Sequence, residues 1–127
     1  MRLAIDTNRY TDFCRGDKET VVTLETAEVI LLPFIVLGEL RAGFAVGKLG
    51  ARNEQVLRRF LMKDGVQPLY PDDQTTHHYS GVYRQLRGQG TPIPANDMWI
   101  AALVLQHNLV LCARDRHFDH LLQIARV

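Results

Sequence analysis

The sequence predicts an α/β fold, three layers in the order α/β/α around a mainly parallel central sheet, and three observations predict it. Helical patterns alternate with short apolar runs along the whole of the 127 residues. The runs Leu3–Ile5, Val29–Leu32 and Leu109–Cys112 are apolar at every position, as strands covered on both faces are. Acidic residues recur at junctions between such runs and helices, and parallel sheets gather their ligands beyond the carboxyl ends of their strands. The length suits one well-buried domain over residues 1–127, and no repeat, low-complexity stretch or linker divides it.

In chain order, Leu3 to Ile5 read as a buried strand and Thr7 to Arg15 as a helix that Gly16 stops. Asp17 caps a second helix to about Thr26. Val29 to Leu32 form a second strand, and Pro33 starts the next helix where its missing N–H costs least. That helix carries Glu39, with Ile35, Val36, Leu40 and Phe44 on its apolar face and with Gly38 and Gly43 permitting close backbone approach. Gly47 and Gly50 bracket a turn before an amphipathic helix over Ala51–Lys63, with Val56, Leu57, Phe60 and Leu61 inward. Val66 to Tyr70 read as a short strand ended by Pro71, and Asp72 or Asp73 caps a helix to about Arg87. Gly88 to Pro94 read as a rigid loop. Ala95 or Asn96 then leads into Asp97 and the apolar helix Met98–Gln106, followed by a strand over Leu109–Cys112. Arg116 to Leu122 form a short helical turn, and Gln123 to Val127 an edge strand.

With 46% hydrophobic and 23% charged residues, the composition is that of a folded protein rather than a disordered tail. No apolar run approaches the ~20 residues of a membrane span, and the acid at Asp6 comes too early for a signal-peptide core, so a cytoplasmic protein is expected. Cys14 and Cys112 are the only cysteines and are expected as reduced core thiols. The net charge of +1 does not advertise nucleic-acid binding. If the acids share one pocket, however, a basic excess is left elsewhere, with Arg9, Arg41, Arg84, Arg87, Arg114 and Arg116 as candidates.

Asp6, Glu39, Asp97 and Asp115 carry the chemistry. Each has an ordinary explanation: a helix cap for Asp6, an arginine partner for Glu39 at the buried edge of its helix, a favourable helix dipole for Asp97, and solvation for Asp115. All four sharing one cleft calls for a counter-charge, because carboxylates about 4 Å apart repel by roughly 4 kcal/mol at an effective dielectric of 20. Oxygen-only ligands suit Mg²⁺ or Mn²⁺ better than zinc, and hydrolysis of phosphodiesters is the expected chemistry.

The segments Ile5-Asp6-Thr7-Asn8, Gly38-Glu39-Leu40-Arg41-Ala42-Gly43, Pro92 to Ala102 and Arg114-Asp115-Arg116-His117-Phe118, in this order and at these separations, resemble the PIN-domain ribonucleases. Within that family they are most similar to VapC toxins of bacterial toxin–antitoxin pairs, and the resemblance spans nearly the whole chain. It implies a PIN-like fold and a Mg²⁺- or Mn²⁺-dependent endoribonuclease, usually a homodimer, silenced by a small VapB-like antitoxin. Asp6, Glu39, Asp97 and Asp115 match the family's acidic quartet as catalytic and metal-binding residues, with Asn8 in support. Ala113 departs from the Ser or Thr that many relatives carry beside the last acid, and Asp119 is an alternative to Asp115 as the fourth ligand.

Arg114 and Arg116 flank Asp115 and are read as steering an RNA backbone by neutralising its phosphates, the alternative being that they only offset local acids. Arg84 and Arg87 read as solvated surface. His77-His78 and the group His117, Asp119, His120 lack a second ligand pair at zinc-finger spacing. His117 and His120 are expected on an exposed turn, with Phe118 and Leu121 packed inward. Trp99 is expected to pack in a helix or dimer contact rather than stack on a base. Two other functions compete with the nuclease: a phosphatase with Asp6 as nucleophile, disfavoured because Asn8 stands where a second acid is needed, and a non-catalytic acidic pocket that sequesters a basic peptide.

Overall fold

The computed structural model describes all residues, 1–127. Four strands, β1 (Arg2–Ile5), β2 (Val29–Pro33), β3 (Val66–Leu69) and β4 (Val110–Cys112), form one sheet in the order β3-β2-β1-β4. Every pairing is parallel, with Leu3 opposite Ile30 on one side and opposite Val110 on the other. The connections supply six α-helices: α1 (Thr7–Cys14), α2 (Lys18–Thr26), α3 (Phe34–Val46), α4 (Gly50–Leu61), α5 (Asp73–Gln89) and α6 (Ala95–Gln106). A 3₁₀ turn over Arg116–His120 follows β4.

Successive side chains of a strand point to opposite faces. Leu3, Ala4 and Ile5 are all fully buried, so both faces of the sheet are covered and the arrangement is three-layered. The chain steps outward from β1 to β2 and β3, then returns to place β4 on the other side of β1. That reversal makes β1 the switch point, where a crevice opens beyond the carboxyl ends of the strands. Helix α6 is apolar around most of its circumference, burying Met98 and Ile100 to Val104, and it belongs to a core of 27 buried residues continuous with the central strands. No helix is long and apolar enough to cross a membrane.

Local chemistry accounts for the boundaries. Asp17 accepts the Thr20 N–H at 3.0 Å and starts α2. Asp72 forms a reciprocal capping box with Thr75 at the start of α5. Pro33 ends β2 and is the N-cap of α3 rather than its first helical residue. Pro68 lies within β3, which tolerates it because β3 is an edge strand.

Several expectations are corrected. The segment from Gly88 is not all loop: α5 runs on through Gly88 and Gln89 and stops at Gly90, whose φ of 71° is the left-handed cap that glycine favours. Gly38 and Gly43 have open space where a side chain would grow; the tightest glycine is Gly50, whose missing Cβ would collide with the Phe44 carbonyl oxygen, followed by Gly65 against the Glu28 carbonyl. Residues Ala125–Val127 add only a single bridge to β4, with the Leu111 N–H donating to the Ala125 carbonyl at 2.8 Å and the Val127 N–H to the Leu111 carbonyl at 3.0 Å. Ile35, Phe44, Val56 and Leu61 are only half-buried; Leu37 is buried with Val36 and Leu40 on α3, and Leu57 with Phe60 on α4. Cys112 is a buried free thiol, but Cys14 is exposed at the end of α1. Trp99 stacks on Tyr79 of α5 with ring centroids 4.0 Å apart.

Gly50→Ala is expected to cost about 1–3 kcal/mol through overpacking against fixed backbone. Gly43→Ala, in a helix interior with room for the methyl, is expected to add up to about 1 kcal/mol. Urea denaturation midpoints of the two variants should move in opposite directions.

Candidate metal centre

Two of the four acids are brought to one place by the strand register. Ile5 pairs with Cys112 across β1 and β4, so Asp6 follows one strand directly and Asp115 lies just past the other. Both are helix caps. Asp6 closes β1 by donating its backbone N–H to the Cys112 carbonyl at 3.0 Å, and its carboxylate accepts the Thr7 N–H at 2.7 Å as α1 begins. Asp115 caps the 3₁₀ turn, accepting the His117 N–H at 2.9 Å. The hydrogen bonds that start these helices also orient the carboxylates.

Asp97 arrives from α6, in its first turn after Pro94, and is 9% exposed. Its Oδ2 lies 2.7 Å from His117 Nδ1, which is also 3.0 Å from Asp115 Oδ1. Donor atoms of Asp97, Asp115 and His117 all lie within 4.8 Å of one another. Glu39 is exposed on the flank of α3, not at a buried edge, because the inward stripe of that helix is Val36, Leu37 and Leu40. It has no arginine partner; Arg41 is bound instead to Glu54 at 2.9 Å. The Glu39 carboxylate accepts the Thr7 hydroxyl hydrogen bond at 2.7 Å. A hollow lined by Phe34, Ile35, Gly38, Ala42 and Asn96 opens beside it.

The electrostatics are those of a crowded acidic pocket. Burial pushes the Asp6 carboxyl up to about 6; the Thr7 N–H opposes the rise, and the charges of Asp97, Glu39 and Asp115 add to it. Burial likewise raises Asp97 and outweighs the lowering by the His117 hydrogen bond. The hydrogen bond to Asp97 raises His117 above the ordinary histidine value, with the charge of Asp115 helping. Asp6 is 5% exposed and has no basic partner. Two arginines are committed elsewhere: Arg114 donates to Asp12 at 2.9 and 3.4 Å, and Arg9 donates to the same carboxylate at 3.5 Å.

The remaining candidates divide. Asp119 is turned away from the pocket and paired with Arg126 at 2.5 Å. The same Arg126 also holds the Asp115 backbone carbonyl at 2.9 Å. Asn8 is exposed on α1, Ala113 is buried, and Arg116 is exposed. Arg84 and Arg87 lie on exposed positions of α5, where Arg87 reaches only the Tyr83 hydroxyl at 3.3 Å. His120 is exposed and Phe118 and Leu121 are buried, but His117 is not a free surface group. His117 and Thr7 join the site without being among the residues the sequence singles out for it. The signal for His117 was the spacing Asp115-x-His117, which in an Asp-capped turn brings the second residue back to the carboxylate; for Thr7 it was a hydroxyl beside a strand-end acid.

A carboxyl with a raised pKa holds its proton more tightly in the folded state than in the unfolded chain. Its contribution to stability is therefore present below its ordinary value of 3.8 and lost as pH climbs through about 6. For Asp6 this amounts to on the order of 3 kcal/mol at about 1.4 kcal/mol per pKa unit. His117 acts in the same sense, its contribution being present below 6.5 and lost as pH rises past its raised value. Urea unfolding in the presence of chelator should show stability declining from pH 4 to pH 7, and Asp6→Asn should flatten that decline and be the more stable protein at pH 7. Equal slopes for the two proteins would refute the burial account.

Comparison with known proteins agrees with this architecture. The PIN domain profile matches residues 3–122. Over 95 residues, 73% of this chain and 68% of the relative, the sequence is 37% identical to ribonuclease VapC1 of Haemophilus influenzae strain R2866. The fold superposes on the DNA-bound VapBC of Salmonella typhimurium with a TM-score of 0.88 at 22% identity, covering 100% of this chain and 97% of that one. VapBC2 of Rickettsia felis, bound to a promoter DNA fragment, gives 0.87 at 22% identity, with 100% and 98% covered. At such identities the structures speak for the fold alone, whereas the profile match over nearly the entire chain assigns the family: this protein belongs to the PIN-domain family.

Proposed function

We propose that the protein is a ribonuclease toxin of the VapC type, a Mg²⁺- or Mn²⁺-dependent endoribonuclease held in check by a VapB-like antitoxin. The observation that carries this reading is the group of carboxylates at the switch point of a parallel sheet, none of them paired with an arginine. The 37% identical relative is itself named a ribonuclease, and the superposing structures are complexes of a VapC with its VapB, which supports both the activity and the class of partner. RNA as substrate, residues 1–127 as a single PIN-like domain, a homodimer and a cytoplasmic site of action are parts of the same proposal.

The residues fit a cation. A buried Asp6 with one hydrogen bond and no basic partner is costly as an isolated charge; Asp97 and Asp115 present oxygens to one space with His117, near enough for their charges to raise the Asp6 carboxyl. Asp6, Asp97 and Asp115 would hold the ion, with Glu39 on the flank. When bound, such an ion holds a phosphate oxygen, lowers the pKa of a water and offsets charge on the leaving oxygen.

The chain's own groups supply position. Hydrogen bonds at the strand ends keep Asp6 and Asp115 from swinging out to solvent. The Thr7 hydroxyl holds one oxygen of Glu39 and leaves the other to accept a hydrogen bond from an attacking water. Arg116 is exposed beside the pocket, and Arg114, although tied to Asp12, is half exposed. Both are available to an approaching phosphodiester backbone, a contact that positions RNA without reading its sequence. A phosphatase using Asp6 as nucleophile fits poorly, since that carboxyl is nearly inaccessible and Asn8 points to solvent.

Purified protein free of antitoxin is expected to cut RNA in Mn²⁺ or Mg²⁺ and to stop in EDTA. Asp6→Asn and Asp97→Asn should each lower the rate at least about a hundredfold, equivalent to about 2.7 kcal/mol of transition-state stabilisation, with the fold unchanged by circular dichroism. Sequencing the fragment ends identifies the cleavage site, and undiminished cutting by either pure variant would defeat the proposal.

A further inference from the structure

We infer that His117 is itself a ligand, so that the centre is a mixed carboxylate–imidazole site selective for a first-row transition cation such as Mn²⁺ over Mg²⁺. This rests on the metal-dependent reading above and names the class of ion that serves it. The geometry is the first support. His117 Nδ1 stands 2.7 Å from Asp97 Oδ2 and 3.0 Å from Asp115 Oδ1. Neighbouring ligands on one cation, with bonds of about 2.1 Å, lie about 3 Å apart, and the same spacing accommodates a hydrogen bond when Nδ1 carries a proton. A cation can therefore replace that proton, which leaves to solvent, with little movement of the three side chains.

The second support is that the ring is built into the pocket although its side chain is 45% exposed. The His117 backbone N–H is bound to Asp115 Oδ1, and the adjacent Phe118, 1% exposed, anchors the turn in the core. The third is Asp6, a buried carboxyl near enough to feel the charges of Asp97 and Asp115 and with no cation of its own, while Arg9 and Arg114 are held by Asp12. A pocket of oxygens alone suits Mg²⁺; adding one imidazole shifts preference along the series toward Mn²⁺, Co²⁺ and Ni²⁺, because nitrogen donors gain more from those ions than from Mg²⁺.

The test uses the full chain without RNA. Mn²⁺ binding is read from the electron paramagnetic resonance of the free ion, and Mg²⁺ binding from competition with Mn²⁺, for the wild type, His117→Ala and Asp97→Asn. The expected result is that His117→Ala weakens Mn²⁺ about tenfold or more and Mg²⁺ much less, narrowing the ratio of the two dissociation constants. Pulsed resonance of wild-type-bound Mn²⁺ should also show nitrogen coupling, a readout that does not depend on the variant folding. Equal weakening of both ions, tighter binding of both, or no nitrogen coupling would overturn the assignment of His117 and leave the nuclease proposal standing. If the wild type bound neither ion, or Asp97→Asn bound both undiminished, the metal-dependent reading would fail and take this inference with it.

Discussion

The constraint on which the rest depends is the holding of several carboxylates near one another with almost no cation supplied by the protein. In water their repulsion would be slight, but at the end of a covered sheet it is amplified by burial. The one basic side chain in contact with these acids is the imidazole of His117, while Arg9 and Arg114 are held by Asp12 and Arg41 by Glu54. A structure that spends its arginines elsewhere leaves the acids free to exchange a proton for a larger charge.

The framework that makes this tolerable is economical. Asp6 and Asp115 act as helix caps as well as candidate ligands, so the orphan N–H groups of a helix start and a 3₁₀ turn partly satisfy the carboxylates they orient. The fully buried β1 lies at the centre of the sheet between β2 and β4. Helix α6 is packed on nearly every side, and this fixes the depth at which Asp97 enters. Only Glu39 comes from an exposed helical flank, and the Thr7 hydroxyl ties it down. The family match covers residues 3–122 and so every residue of this arrangement, and the His117 contacts tie Asp97 to Asp115.

Much of the fold was legible because its signals are local. Consecutive apolar residues marked the covered strands, and Asp17, Asp72 and Gly16 marked helix ends through hydrogen bonds within a few residues. The errors arose where distant packing decided. Gly88 has the local signature of a breaker, yet α5 continues through it because Gly90 takes the left-handed conformation two residues later. The helical pattern points to Gly38 and Gly43 for close backbone approach, whereas the tightest contact is at Gly50, whose neighbour is the Phe44 carbonyl across a turn. Apolar neighbours in sequence point Glu39 and Cys14 inward, whereas the helices carrying them turn both out.

By itself the sequence determined which residues can be strands and caps, and therefore that Asp6 and Asp115 stand at strand ends, since capping and β-propensity act over two to four neighbours. Only the tertiary structure decided that β4 returns beside β1, that Asp119 goes to Arg126 while Asp115 faces Asp97, and that His117 bridges two acids, one of them twenty positions earlier in the chain. Those outcomes depend on strand order and on competition among charges for partners, and both are settled by distances in space that no local pattern encodes.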